Sequence, residues 1–162
     1  MALQDFRELV NLDLSRNNRF IASGTAIPPE PLNTLLQTTQ LPGIGFSTAD
    51  WRDFGPLRKF PYDILYNEIP LTFLDTADHQ IKAFYDDWMQ NEVYRQTGFG
   101  YMDDYRREFE ILKLDRQTNV KEIVRFYNVW PSMIEPTQLD SSATNTLTII
   151  SVTLTFEKWE RI

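Results

Sequence analysis

Phe109-Glu110-Ile111-Leu112-Lys113-Leu114, then Asp115-Arg116-Gln117-Thr118-Asn119, then Val120-Lys121-Glu122-Ile123-Val124-Arg125-Phe126-Tyr127-Asn128-Val129-Trp130, is the stretch on which the fold turns. Two runs rich in β-branched and aromatic residues flank five polar ones, the pattern of an antiparallel hairpin with a polar turn. In the second arm Val124, Phe126 and Trp130 share one face while Ile123, Tyr127 and Val129 share the other. Neither face can be left freely solvated, so the hairpin calls for cover on both sides.

Toward the C-terminus, Thr144 to Trp159 reads as a last strand. Its apolar residues fall at odd positions, Leu147 and Ile149, and then at even ones, Val152, Leu154 and Phe156. A bulge near Ile149-Ile150 would absorb that slip, and the face from Ser151 to Thr155 is a polar ladder. Upstream, Ile81, Phe84, Tyr85 and Trp88 repeat at three and four behind Asp75-Thr76, a ready N-cap. This predicts one helix over residues 77–93, with Lys82, Asp86, Asp87 and Gln90 on its wet face.

Nearer the N-terminus, Arg19–Ala26 and Leu32–Leu41 are strand-length runs around Pro28, Pro29 and Pro31 and predict a first hairpin. Residues 43–59 show no clean period and read as a long loop; Phe60–Leu65 and Leu71–Leu74 are further strands. Residues 96–107 read as another loop, and residues 1–17 as an arm with a short amphipathic stretch from Leu3 to Leu12. No repeat and no linker divides the chain, so residues 1–162 are expected to form one domain, mainly β with one flanking helix.

Composition narrows the function classes. Hydrophobic residues make up 42% of the chain and charged residues 24%, which suits a packed core in water. No apolar run approaches the roughly 20 residues of a membrane helix, and MALQDFRELV lacks the apolar core of a signal peptide, so neither membrane insertion nor secretion by that route is expected. With no cysteine there is no disulfide and no thiol nucleophile. The net charge of −7 argues against gripping a phosphate backbone.

Chemistry finds no address. His79 is the single histidine, so a polyhistidine metal site cannot be built and a catalytic triad would rest on this one residue, which reads instead as a polar residue at the helix start. Asp86-Asp87 diverge around a helix, and Asp103-Asp104 lack calcium-loop spacing. Gly43-Ile44-Gly45 and Gly98-Phe99-Gly100 are turn glycines and not phosphate loops. Trp51, Trp88, Trp130 and Trp159 could form a carbohydrate platform, yet Trp88 and Trp130 sit on patterned elements and read as core. Catalytic, cofactor and metal residues are therefore expected to be absent. From a different class, a small ligand-binding β-barrel or a carboxylate hydrolase remains a rival.

The order of features resembles the tail tube proteins of contractile-tailed, T-even-like bacteriophages. The resemblance runs through Asn17-Asn18-Arg19-Phe20, Gln40-Leu41-Pro42-Gly43, Arg58-Lys59-Phe60-Pro61-Tyr62, Ile69-Pro70-Leu71-Thr72-Phe73-Leu74 and Phe84-Tyr85-Asp86-Asp87-Trp88. It is strongest in the paired closing strands and the Trp130-Pro131 junction. It implies a β-barrel or sandwich whose six copies form a ring with a continuous inner barrel. Rings would stack into a hollow tube inside a contractile sheath and conduct DNA, in the tail of a virion assembled in the host cytoplasm.

The implied partners are further copies of the chain, sheath, baseplate and tail terminator proteins, with tape measure protein and genomic DNA in the lumen and no sequence-specific binding. No cofactor is implied. A baseplate-proximal tube component and the tube protein of a contractile injection or type VI secretion system fit the same resemblance. Leu3 and Phe6 of the arm and Trp51, Arg52, Asp53 and Phe54 of residues 43–59 are then expected at ring stacking. Ile123, Arg125, Tyr127 and Val129 are expected at the sheet contact within a ring. Two physical points agree: exposed sheet edges become useful when a ring closes on them, and an acidic lumen repels phosphate so that DNA slides.

Overall fold

The computed structural model describes residues 15–162. The predicted hairpin is its central feature. Strand β8 (Arg107–Leu114) pairs antiparallel with β9 (Val120–Ile134) across the turn at residues 115–119. The Asp115 carboxylate accepts backbone N–H bonds from Gln117 and Asn119 at 2.8 and 2.9 Å, which fixes that turn. The register sets Phe109 opposite Phe126, and their rings stack with centroids 4.5 Å apart.

Around this hairpin runs a seven-stranded curled sheet. β1 (Phe20–Gly24) lies outside β8; β10 (Ile149–Thr155) and β11 (Lys158–Arg161) follow one another along the far side of β9. Then come β5 (Ile69–Leu74) and the short β2 (Leu36–Thr38). The sheet bends where Asn128 takes a left-handed φ of 54°, and the backbone N–H of Glu157 reaches Tyr127 O at 3.2 Å. One long strand thereby serves both halves of the fold. The bend also explains a misread face. Val124 and Phe126 point inward, but after Asn128 the inward position is Val129, fully buried, and not Trp130.

Between the two halves sit Phe73, Leu71, Ile150, Leu154, Phe109 and Phe126, all at 1% exposure or less. Each such side chain contributes roughly 1.5–3 kcal/mol by leaving water. The helix closes the open side. Its regular part, α1, spans Gln80–Asp87 and continues through a π-helical turn at Trp88–Val93, so the helix ends at residue 93 as expected but begins three residues late. Thr76 Oγ1 accepts the Gln80 N–H at 3.1 Å, while His79, left-handed and 2.7 Å from the Asp75 carboxylate, delays the first turn. Ile81, Tyr85 and Trp88 face the core.

Four expectations need correction. Residues 19–26 and 32–41 do not pair with each other: β1 joins β8, a 3-10 turn covers Leu32–Leu35, and β2 crosses to β5. The Pro28–Pro31 stretch carries the chain between the halves instead of folding it back. Residues 43–59 are not a loop, because β3 (Gly45–Trp51) and β4 (Arg58–Leu65) form a second antiparallel hairpin. Residues 96–107 are not wholly a loop: β7 (Gly98–Phe99) pairs with β6 (Tyr94–Arg95) just before them in a miniature hairpin, and Met102–Tyr105 form a single helical turn, α2. The final strand starts at Ile149, so Leu147 lies outside it and no bulge is needed there. The register irregularity falls at Thr153/Leu154.

Candidate assembly interface

The β3–β4 hairpin is the most exposed piece of secondary structure among the described residues. Every residue of β4 is solvent-exposed, and nine large apolar side chains between Ile44 and Leu65 keep at least 50% of their surface. They occupy both faces. Phe46 and Ile64 are register partners on one side; Trp51 and Phe60 meet edge-to-face at 6.4 Å on the other. A lone two-stranded ribbon is marginal in water, and an apolar patch of this extent marks a surface built to be covered.

Trp51, Arg52, Asp53 and Phe54, singled out in the sequence, form the tip. Arg52 Nε donates to Gly55 O at 3.2 Å and tightens the turn, and Phe54 stands wholly in solvent. Leu3 and Phe6 lie outside the described residues. The sequence missed Phe46, Phe60 and Ile64 as part of the same surface. Their signal was available as aromatic and aliphatic residues on both phases of Gly45–Leu65, with no phase reserved for a core.

A second surface is the outer face of β1, β8, β9 and β11. Register aligns Ser23, Glu110, Arg125 and Glu160 in one row across the four strands. Arg125 Nη2 donates to Glu110 Oε2 at 3.1 Å, and Tyr127 OH and Lys158 Nζ each donate to Glu160 at 3.1 Å. The Glu110 hydrogen bond raises the Arg125 guanidinium further above its usual range, and Lys158, followed by Tyr127, lowers the Glu160 carboxyl. The neighbouring row is apolar: Ile21, Leu112 and Ile123. Ile123, Arg125 and Tyr127 therefore share this face, whereas Val129 is sealed in the subunit's own core and can touch no neighbour.

The sheet path ends in β1 on one side and the three-residue β2 on the other. The centre of the sandwich is filled by the rings of Phe73, Tyr85, Trp88, Phe109 and Phe126. A ligand calyx would need open space there. Burial pushes the Tyr85 phenol well above its ordinary range, its hydroxyl donating to Ala26 O at 3.2 Å. Among the described residues no group of three or more His, Asp or Glu side chains is placed to hold a metal.

A family model described as phage tail tube protein matches residues 10–162. The chain belongs to that family. Phage tail tube proteins are structural subunits, and this chain is one, a component of the virion tail. No curated protein sequence matches it. Among solved structures, the sheath/tube terminator of the PVC extracellular contractile injection system in its extended state is similar at a TM-score of 0.72 and 17% identity, covering 94% of this chain and 99% of that one.

The PVC sheath-tube complex gives 0.71 at 16% identity, covering 96% of each chain. Hcp1 from Flavobacterium johnsoniae gives 0.53 at 11%, covering 88% of this chain and 94% of that one. These likenesses establish the fold of the tail tube protein as mainly β with a flanking helix. They leave the contacts between its copies to be argued from its own surface.

Proposed function

We propose that six copies of this tail tube protein close into a ring, that rings stack into a hollow tube within a contractile sheath, and that the bore conducts DNA during ejection. The observation that carries the reading is the β3–β4 hairpin, apolar on both faces and left exposed by the described residues of its own subunit. A hairpin of this kind becomes stable once clasped between other copies. Trp51, Arg52, Asp53 and Phe54 act in stacking, together with Leu3 and Phe6. Ile123, Arg125 and Tyr127, on the outer face of the β8–β9 hairpin, contribute to the contact within a ring.

Sheath, baseplate and terminator proteins are the partners, with tape measure protein and DNA passing through the lumen. Assembly takes place in the host cytoplasm. A net charge of −7 suits a bore that repels phosphate and lets DNA slide. No catalysis is assigned.

Electron microscopy of the purified protein, alone and coexpressed with tail components, tests the reading. Rings of six or hollow tubes are expected; a protein that stays monomeric under every assembly condition, tail initiators included, overturns it. A baseplate-proximal or injection-system tube is the second reading, favoured by the likeness to the baseplate of the anti-feeding prophage at a TM-score of 0.69. Neighbouring genes for capsid and sheath separate a phage from an injection system.

A further inference from the structure

The two halves of the sheet present different outer faces. β2, β5, β10 and residues 130–134 of β9 contain no Asp, Glu, Lys or Arg, in a chain where 24% of residues are charged. In the other half β8 alone carries Arg107, Glu108, Glu110 and Lys113, and β11 carries Lys158, Glu160 and Arg161. A strand buried on both sides has no use for charge, but β5 and β10 bury only one side. Ile69, Leu71, Phe73, Ile150, Val152 and Leu154 point into the core, and the residues between them point out.

These outward residues align in rows. Thr38, Thr72 and Ser151 are register partners, and the Glu135 N–H donates to Ser151 O at 2.9 Å at the end of that row. The next row is Pro70, Thr153 and Met133. The Ser-Thr ladder of the last strand is thus part of a wider face of hydroxyls and uncharged apolar groups. The charged residues that directly flank these strand segments in sequence are all acids: Glu68, Asp75 and Glu135. The Asp75 side chain is wholly buried against His79, and Glu68 accepts from Thr155 Oγ1 at 3.1 Å. This half also has two open margins among the described residues. β2 pairs with β5 alone, and residues 130–134 lie past Val129, where the register of β8 on β9 stops.

We infer that this charge-free face is the wall of the bore, the surface that a conducted polyanion meets. The inference rests on the tube reading and names its inner surface. Phosphate is gripped by Lys and Arg, which displace its counterions, so a wall along which DNA slides must withhold cations. Of the two outer faces of the sheet, only this one does so. The other sets out Arg125 and Lys158, whose side chains are 42% and 56% exposed. Glu68 and Glu135 at the margins keep phosphate off the strand ends. Copies that pair at the two open margins carry the same face around a ring without a break. The net charge of −7 then resides on the other surfaces, and the wall itself is neutral.

Image reconstruction of wild-type tubes by electron cryomicroscopy tests the position. Thr72, Ser151 and Thr153 are expected on the bore. Tubes walled by Arg125 and Lys158, or tubes that bury Thr72 and Thr153 between copies, overturn the assignment and keep the tube reading. Wild-type protein that forms no tube removes that reading and the assignment with it. Charge substitution tests the consequence. Particles whose tubes carry Thr72→Lys with Thr153→Lys are expected to eject DNA about tenfold more slowly at low salt and to approach the wild-type rate at high salt. Thr72→Gln with Thr153→Gln adds bulk without charge and is expected to leave the rate unchanged. Wild-type ejection by the lysine pair at low salt, or equal slowing by both pairs, overturns the role given to the neutral wall. The reconstruction needs no variant and decides the position even where the lysine pair assembles poorly.

Discussion

The guanidinium carbon of Arg107 lies 4.3 Å from the centre of the Trp88 ring and 5.3 Å from that of Phe84, while its Nη2 meets Glu92 at 2.8 Å. Nη1 also donates to Thr25 O at 3.3 Å. One side chain thus ties the first residue of β8 to the helix and to the end of β1. Arg107→Ala is expected to destabilise the subunit by about 2 kcal/mol, from lost stacking and hydrogen bonds. Arg107→Lys should restore less than half, because an ammonium cannot lie flat on the indole. Urea unfolding measures both.

Replacing Trp51 and Phe60 together by Ser removes the edge-to-face pair on a hairpin whose second strand is exposed along its whole length. Subunit stability is expected to stay within about 0.5 kcal/mol of wild type, as for other surface changes. Assembly into rings or tubes, followed by sedimentation and electron microscopy, is expected to be lost. A large fall in stability with assembly intact would show that the hairpin serves its own fold.

Gly24 ends β1 with φ at +130°, and a Cβ built there would meet Phe109 Cα at 2.6 Å and Glu108 O at 2.7 Å. Backbone atoms of β8 cannot step aside without breaking the β1 pairing. Gly24→Ala should cost about 2 kcal/mol or more, combining left-handed strain with overpacking. Faster hydrogen exchange at Ala22 and Ser23 would locate the damage.

The Asp115 carboxyl is held below its ordinary range, first by the backbone N–H of Asn119 and further by the Asn119 side chain, Gln117 and Lys121. A carboxyl with a lowered folded value favours the folded state while ionised. Its contribution is complete above the unfolded value and fades as pH falls toward the lower folded one. Asp115→Ala is therefore expected to lower Tm at neutral pH, and the gap from wild type should close in strong acid. A gap that persists below pH 2 would point to packing.

The β8–β9 hairpin was legible because two runs rich in β-branched and aromatic residues flank a polar turn, and the helix because Ile81, Tyr85 and Trp88 repeat toward one core. Pairing across long separations was not. Nothing local in Phe20–Gly24 says that its partner lies near residue 110. The bend at Asn128 was equally silent, since one left-handed residue moves Val129 inward without altering the composition of the strand. The β3–β4 hairpin escaped for a different reason: period-two reading looks for one wet face, and both faces of this ribbon await cover. The expectation of Trp51 and Phe54 at an interface came from the family resemblance, whereas Phe46 and Ile64 needed the register.

That ribbon also governs how the protein can be handled before anything is built from it. Nine greasy side chains uncovered at synthesis make each newborn subunit adhesive, so random clumping rises steeply with stock concentration. Growth from a pre-formed end, fed slowly, outruns clumping because an incoming subunit finds its clasp already shaped. Preparations kept dilute and seeded should yield long, uniform particles, and concentrated unseeded ones should yield amorphous precipitate.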